Sequence, residues 1–353
     1  MGRSSDRAGL ELPRRHRGGD HALSRRQHRS DHACDPALGD RLLLRAAGDI
    51  ALEGAMAATA GLAGRCFALI IANDVATLPL ARDLAGACRA KVIFDAHEFS
   101  PLEFEEDAKW RFFLESWTAR LCCEHVPRVD GMMTVSEGIA ERWQREYGVN
   151  PVVVPNAPPY HDMAVPERIG RPLRLVHHGV ALRIRKIETL IDAALSWPDC
   201  ELDLYLVAND RQLVEELRSR ASGCSRIRIL PPVPVERIVP TLGSYDVGVC
   251  AFTYQPAGFN TVQSLPNKFF DFIQARLAVC IGPLPEMAKW TTRYHLGVVA
   301  RGFEAADLVD ALKMLSDEDL LAMRRASAVA ARDLCWEFFS SRLDALVDQV
   351  LGT

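Results

Sequence analysis

Short apolar runs that stop abruptly at polar residues recur along this chain, each followed by a segment of helical periodicity. Residues 67–72 run apolar into Asn73 and Asp74, and residues 91–94 into Asp95-Ala96-His97-Glu98. Residues 76–88 form a helical segment between them, and an aromatic-rich helix is expected over 110–125. Residues 132–135 and 152–154 are further short strands, with Ser136 placed to cap a helix over 137–147. Apolar strands alternating with helices bury both of their faces in a parallel sheet covered on each side, so the chain reads as α/β. Ligands of such sheets sit at the carboxyl ends of the strands, where Asn73, Asp74, Asp95, His97 and Glu98 fall.

The pattern then stops and restarts. Residues 158–172 carry prolines and glycines without periodicity and read as a linker. Beyond it come a strand at 173–177, a turn at His178-Gly179-Val180, and a helix over 187–195. Strands at 201–207 and 226–230 flank a helix over 211–220, followed by a helix over 235–242 and a strand at 247–252. The loop 253–263 leads to Ser264-Leu265-Pro266-Asn267-Lys268, the start of a helix that carries Asp271 one turn on. A strand at 278–282, a turn at 283–287, helices over 305–315 and 317–338 and a closing segment at 342–351 complete the series. The expected domains are 41–158 and 173–325, joined by a linker at 159–172, with C-terminal helices at 326–353 packing back toward the first domain. Two βα domains joined in this way imply a cleft, and clefts between domains are the default binding site.

Composition narrows the choice of ligand. The chain of 353 residues is 48% hydrophobic and 25% charged, enough for two cores, and its formal charge of −4 provides no basic field for nucleic acid or an anionic membrane. Its ten cysteines include no C-x-x-C pair and read as small apolar core residues of a reducing compartment. No apolar run reaches the length of a membrane span and the start lacks a secretory signal's apolar segment, so a cytoplasmic protein with at most peripheral membrane contact is expected. Residues 1–40, rich in Arg, His, Gly and Asp, cannot build a core and read as a disordered leader, a presequence or a misplaced start, while 41–64 are alanine- and leucine-rich and helical. His28, His32 and Cys34 have ligand-like spacing there but lack a fourth ligand, so no metal site is expected.

Several residues suit one chemistry. Asn267 and Lys268 at a helix mouth can aim donors at an anion, helped by the helix dipole, and the Asp271 carboxylate can accept two hydroxyls such as those of a ribose. Gly179 permits a close backbone approach, and Arg185 with Lys186 can neutralise a diphosphate leaving group. By themselves Arg183, Arg185 and Lys186 read as a solvated basic turn; beside Gly179 and Lys268 they read as functional. His97 can donate to a sugar hydroxyl or to developing phosphate charge, the alternative being a packed or helix-capping histidine. Asp95 and Glu98 suit acceptor binding or the orientation of His97, and of His177 and His178 only the second need face the cleft. Asn209 and Asp210 end a strand beside the expected pocket, where backbone at Val233 can read a base.

From about Phe67 onward the chain resembles the retaining glycosyltransferases of the GT-B fold, in the large group called family 4. The resemblance is carried by Ile71-Ala72-Asn73-Asp74 with Thr77-Leu78-Pro79, Phe94-Asp95-Ala96-His97-Glu98, Thr134-Val135-Ser136-Glu137-Gly138-Ile139 and Val154-Pro155-Asn156-Ala157-Pro158 in the first half. His177-His178-Gly179, Ser264-Leu265-Pro266-Asn267-Lys268 and Trp336-Glu337 carry it in the second. The resemblance implies two Rossmann-like parallel-sheet domains facing across a cleft. It also implies transfer, with retention, from a UDP or GDP sugar to a hydroxyl of a glycan or lipid-linked acceptor in polysaccharide or glycoconjugate synthesis, without a metal cofactor. His97, Arg185 and Lys268 take the catalytic positions. Donor positions are Gly179, Val180, Lys186, Asn209, Asp210 and Val233, continued by Gln263, Ser264, Leu265, Pro266, Asn267 and Asp271. Acceptor-side positions are Asn73, Asp74, Asp95 and Glu98.

Three departures from the family pattern are visible. Many relatives carry two glutamates, for sugar and ribose, where this chain has Gln263 and Asp271. Arg276 and Ala278 stand where a glycine and a proline are common. The opening strand and glycine-rich loop have no counterpart in residues 1–40, so the first domain is truncated or atypical at its start. Two other functions therefore stand beside transfer: a catalytically impaired nucleotide- or partner-binding protein, and a nucleotide-sugar epimerase.

Overall fold

The computed structural model describes residues 65–251 and 258–353. The leader at 1–40, the His28, His32 and Cys34 spacing, the helix read over 41–64 and the front of the loop at 253–263 lie outside the described residues.

The first sheet is built from β1 (Leu69–Asn73), α1 (Leu78–Cys88), β2 (Lys91–Ala96), α2 (Ala108–Phe113), α3 (Glu115–His125), β3 (Gly131–Thr134), α4 (Glu137–Tyr147) and β4 (Val152–Val153). Its strands are parallel in the order β1-β2-β3-β4. Val92, Ile93 and Phe94 are buried in succession because helices cover both faces, which leaves no polar alternation in the strand. Trp143 of α4 packs edge-on against Phe94 and also contacts Phe99. Ser136 caps α4 as expected, accepting from the Ile139 N–H at 3.4 Å. The single helix expected over 110–125 is instead two, meeting at Leu114, whose φ of −119° distorts the turn although its N–H still donates to Trp110 O, and Asp107 starts the shorter one by accepting from the Lys109 and Trp110 N–H groups.

The second sheet follows with β5 (Leu173–Val180), α5 (Glu188–Ser196), β6 (Cys200–Val207), α6 (Arg211–Ala221), β7 (Ile227–Leu230), α7 (Val235–Leu242), β8 (Val247–Cys250), α8 (Phe259–Val262), α9 (Asn267–Gln274), β9 (Ala278–Ile281), α10 (Pro285–Arg293) and β10 (Gly297–Val299). Helices α11 (Ala305–Lys313), α12 (Asp317–Ala330) and α13 (Trp336–Leu351) complete it. All six strands are parallel, in the order β10-β9-β8-β5-β6-β7. The chain runs outward from β5 through β6 to β7 and then returns to β8 on the other side of β5. That reversal opens a crevice beyond the carboxyl ends of β5 and β8, where open α/β sheets bind ligands.

Three sequence expectations are corrected. His178, Gly179 and Val180 are not a turn but the end of β5, held in register against Tyr205, Leu206 and Val207 of β6. Residues 283–287 do not form an isolated turn: Pro285 opens α10, a position suited to its fixed φ and missing N–H, and β10 follows. The helix expected over 317–338 is broken between α12 and α13 because tertiary partners take its backbone groups. Gln274 donates to the Ala331 and Leu334 carbonyls at 2.7 and 3.0 Å, and the Trp336 N–H donates to Pro158 O at 2.8 Å.

All described residues belong to one compact unit. Helix α13 reaches the first sheet, where Leu346 and Val350 pack over Gly131 of β3 and Arg342 donates to Val153 O at 3.1 Å. Cys122, Cys200, Cys250, Cys280 and Cys335 are buried as core residues, whereas Cys66 is exposed with its Sγ 2.7 Å from that of Cys88. Among the described residues no helix is long and apolar enough to cross a membrane.

Candidate functional site

Two cations converge on the backbone at the carboxyl end of β5. Gly179 adopts φ +123°, a conformation open to glycine, and the place where a Cβ would stand is 3.2 Å from Lys268 Nζ and 3.8 Å from Arg185 Nη1. Lys268, in the first turn of α9, is only 4% exposed. Its Nζ lies 3.3 Å from His177 Nε2, while His177 Nδ1 lies 2.8 Å from Val249 O. A carbonyl accepts only, so Nδ1 carries the imidazole proton and the Nε2 lone pair faces the ammonium. Burial, then the Lys268 charge, holds His177 far below its ordinary value and keeps it neutral. Burial also pushes the Lys268 ammonium down to about 8, with Cys250 and Asp271 opposing and Arg185 adding to the shift. Arg185 is likewise lowered by burial, and its Nη1 donates to Val180 O at 3.2 Å. One buried ammonium and one half-buried guanidinium beside the end of β5 form a site whose electrostatics favour a polyanion.

Helix α9 presents the rest of the expected donor side. Pro266 precedes it as N-cap residue, Asn267 is exposed, Leu265 is buried at its entrance, and the Ser264 hydroxyl donates to Thr261 O at 2.9 Å. Asp271 is buried, with Oδ2 3.3 Å from His178 Nε2. The pair is misaligned for a hydrogen bond, and His178 Nε2 has no hydrogen-bond partner among the described residues. Both histidines thus meet α9: His178 lies against Asp271, and His177 is held between β8 and Lys268.

Acidic residues gather across the cleft at the carboxyl ends of β1 and β2. Asp74 adopts φ 61° and ψ 154°, a region costly to any residue but glycine. Its N–H donates to Asp95 O at 3.1 Å, and its carbonyl accepts from the Thr77 hydroxyl at 2.9 Å. Asn73 is exposed beside it, with its carbonyl on the same hydroxyl at 2.7 Å. His97 Nε2 lies 3.3 Å from Asp95 Oδ2. Burial raises the Asp95 carboxyl, opposed by His97 and reinforced by Asp74. Glu98 is exposed, yet desolvation by the surrounding protein, followed by the charges of Glu103 and Asp74, pushes its carboxyl up to about 7.

Four further expected donor positions have their own local partners or surroundings. Lys186 is a left-handed residue paired with Glu188 at 3.6 Å. Asp210 caps α6 through the Leu213 N–H at 2.9 Å and pairs with Arg183, which also holds Glu216 at 2.7 Å. Asn209 is the turn residue before that cap, and Val233 is half-buried in the loop before α7. Arg183 and Asp210 thus form a solvated ion pair at a helix start.

Sequence reasoning missed the residues that bridge the two sheets. Asn260 of α8 is buried; its Oδ1 accepts from the Phe99 N–H at 2.7 Å, and its Nδ2 donates to the Phe99 and Leu102 carbonyls at 3.2 and 3.1 Å. The Arg142 guanidinium lies over the Phe99 and Phe259 rings, 5.0 and 4.9 Å from their centroids. Glu286 of α10 is buried and accepts from the Gly138 N–H of α4 at 2.9 Å, beside an ion pair between Lys289 and Glu137. Pro285 ahead of Glu286 was the available signal, since it marks a helix start as well as a turn. No group of three or more His, Cys, Asp or Glu among the described residues is arranged to hold a metal ion.

Neither a family model nor a curated protein sequence matches the chain. Solved structures do. A sucrose-phosphate synthase from Thermosynechococcus elongatus superposes with a TM-score of 0.66 at 14% identity, over 91% of this chain and 82% of that one. Anabaena HepE in complex with UDP and glucose gives 0.64 at 12% identity, over 85% and 81%. TarM gives 0.58 at 12% identity over 80% of this chain, which spans 54% of its length. At such identities the likeness concerns architecture, and with the two parallel sheets of four and six strands it assigns this chain a GT-B-like fold.

Proposed function

We propose that the protein transfers a sugar from a nucleoside diphosphate sugar to a hydroxyl group, with retention of anomeric configuration, in the synthesis of a polysaccharide or other glycoconjugate. The observation that carries this reading is the buried Lys268 ammonium and the half-buried Arg185 guanidinium gathered on the Gly179 backbone. A departing nucleoside diphosphate accumulates negative charge on its phosphates, and preorganised cations in a water-poor site stabilise that charge most as it develops. The protein's own cations serve the diphosphate in this reading, so no metal cofactor is required.

The remaining groups fit around that centre. Asp271 stands one turn along α9 to accept ribose hydroxyls, and neighbours solved with UDP or UDP-glucose support a uridine donor. His97 faces the transferred sugar from the opposite sheet, oriented by Asp95, and Asn73, Asp74 and Glu98 take the acceptor side. The acceptor is a glycan or lipid-linked hydroxyl, reached from the cytoplasm. The deciding experiment is a thermal-shift screen against UDP, GDP, UDP-glucose and GDP-mannose, since a ligand that binds only the folded state raises the midpoint. One diphosphate and its sugar should raise it; no response to any of the four would refute the reading. Proton NMR of the product then reports the anomer, and turnover in EDTA tests independence from metal.

A further inference from the structure

Glu286 is 4% exposed, yet only one of its carboxylate oxygens is occupied. Oε1 accepts the Gly138 N–H at 2.9 Å, whereas Oε2 is buried and has no hydrogen-bond partner among the described residues. Burial raises this carboxyl; the Glu137 and Gly138 N–H groups and Lys289 favour its charged form without supplying a partner to Oε2. A buried carboxylate oxygen left without a donor is costly, so a native site that retains one calls for a donor from beyond the described residues.

The surroundings indicate where that donor comes from. A Cβ on Gly138 would collide with the Gln263 carboxamide and lie 3.2 Å from Glu286 Oε1, so both side chains meet over the same Cα. Gln263 directly precedes the Ser264–Lys268 stretch, and Glu286 lies just beyond the carboxyl end of β9, next to β8 at the crevice. Gly138 belongs to the first turn of α4 on the opposite sheet, so the pair sits where the two domains close on each other. A neutral carboxamide and a carboxylate side by side match a sugar, whose hydroxyls both donate and accept.

We propose that Glu286 is a specificity-determining residue of the donor site, its Oε2 accepting a hydroxyl of the transferred hexose beside the Gln263 carboxamide. This inference rests on the donor-binding reading above. Glu286 thereby supplies the negative charge that Gln263 lacks, and it bonds the sugar while leaving the nucleotide to Lys268, Arg185 and Asp271.

The test separates sugar from nucleotide. Isothermal titration of UDP and UDP-glucose, and of GDP and GDP-mannose, is carried out on the parent and on Glu286→Gln, which keeps an acceptor for Gly138 but turns the second oxygen into a donor. The expected result is a diphosphate Kd within twofold of the parent and a sugar-nucleotide Kd at least tenfold weaker. Glu286→Asp, which keeps the charge but withdraws it, should show the same split and serves if the first variant does not fold. Equal weakening of diphosphate and sugar nucleotide would assign Glu286 a structural role between the sheets and overturn the proposal, as would an unchanged sugar-nucleotide Kd. A parent that binds no diphosphate at all refutes the donor reading itself, a distinguishable outcome.

Discussion

Lys268→Met should make the free protein more stable at neutral pH while removing its affinity for a nucleoside diphosphate. The ammonium is lowered from 10.5 to about 8, which at 1.4 kcal/mol per pH unit means that burying it charged costs roughly 3 kcal/mol at pH 7. Against that gain, the variant leaves the His177 Nε2 lone pair without its donor, a loss of about 1–3 kcal/mol for a buried acceptor. The net gain at pH 7 is therefore about 1 kcal/mol, or about 2–4 °C in a domain of this size. The pH dependence is the sharper signature. The folded value is depressed, so above pH 8 the native state releases a proton that the unfolded chain holds to about 10.4, and the parent's stability rises with pH through that window. The variant has no such rise. Thermal melts of both proteins at pH 7, 8, 9 and 10 measure the difference, which should move toward the parent as pH increases. A difference that stays constant across this range would refute the assignment of Lys268 as a desolvated cation.

Three further outcomes can be checked separately. Glu98→Gln should gain stability relative to the parent between pH 5 and 8: the parent's raised carboxyl must ionise near 7, so the native state binds more protons than the unfolded chain below that value and loses stability as pH rises; parallel melting curves at the two pH values would contradict it. Asn260→Ala removes three bonds to the Phe99 and Leu102 backbone and should cost about 2 kcal/mol in urea unfolding, with increased protease sensitivity at residues 99–102, where an unchanged midpoint would show that the bridge contributes nothing. Arg183→Ala should leave both the melting temperature and the UDP affinity unchanged, because its partners Asp210 and Glu216 form a solvated pair; a clear loss of affinity would move Arg183 into the donor site.

The sequence alone determined the class of fold, because local rules suffice for it. Val92, Ile93 and Phe94 could only be a strand buried on both faces, and Ser136 marked the start of α4 through a cap that depends on residues three apart. It also brought Gly179, Arg185 and Lys268 forward, through their combination and the resemblance to a donor site rather than through any one of them. Only the tertiary structure decided which of the candidates meet. Arg183 and Arg185 are two residues apart on one basic turn, yet one faces solvent acids and the other a buried lysine that arrives from another helix. His177 and His178 are neighbours in β5 and both meet α9, yet one is held by Val249 O and Lys268 Nζ while the other lies against Asp271, a distinction that only the tertiary packing makes. Pro285 could mark the helix that carries Glu286, but the contacts of Glu286 and Asn260 were illegible because their partners lie 148 and 161 residues away and are backbone groups, which every residue carries and no sequence pattern announces. The break between α12 and α13 escaped for the same reason: helical periodicity is local, whereas Gln274, which takes the carbonyls there, comes from a distant helix.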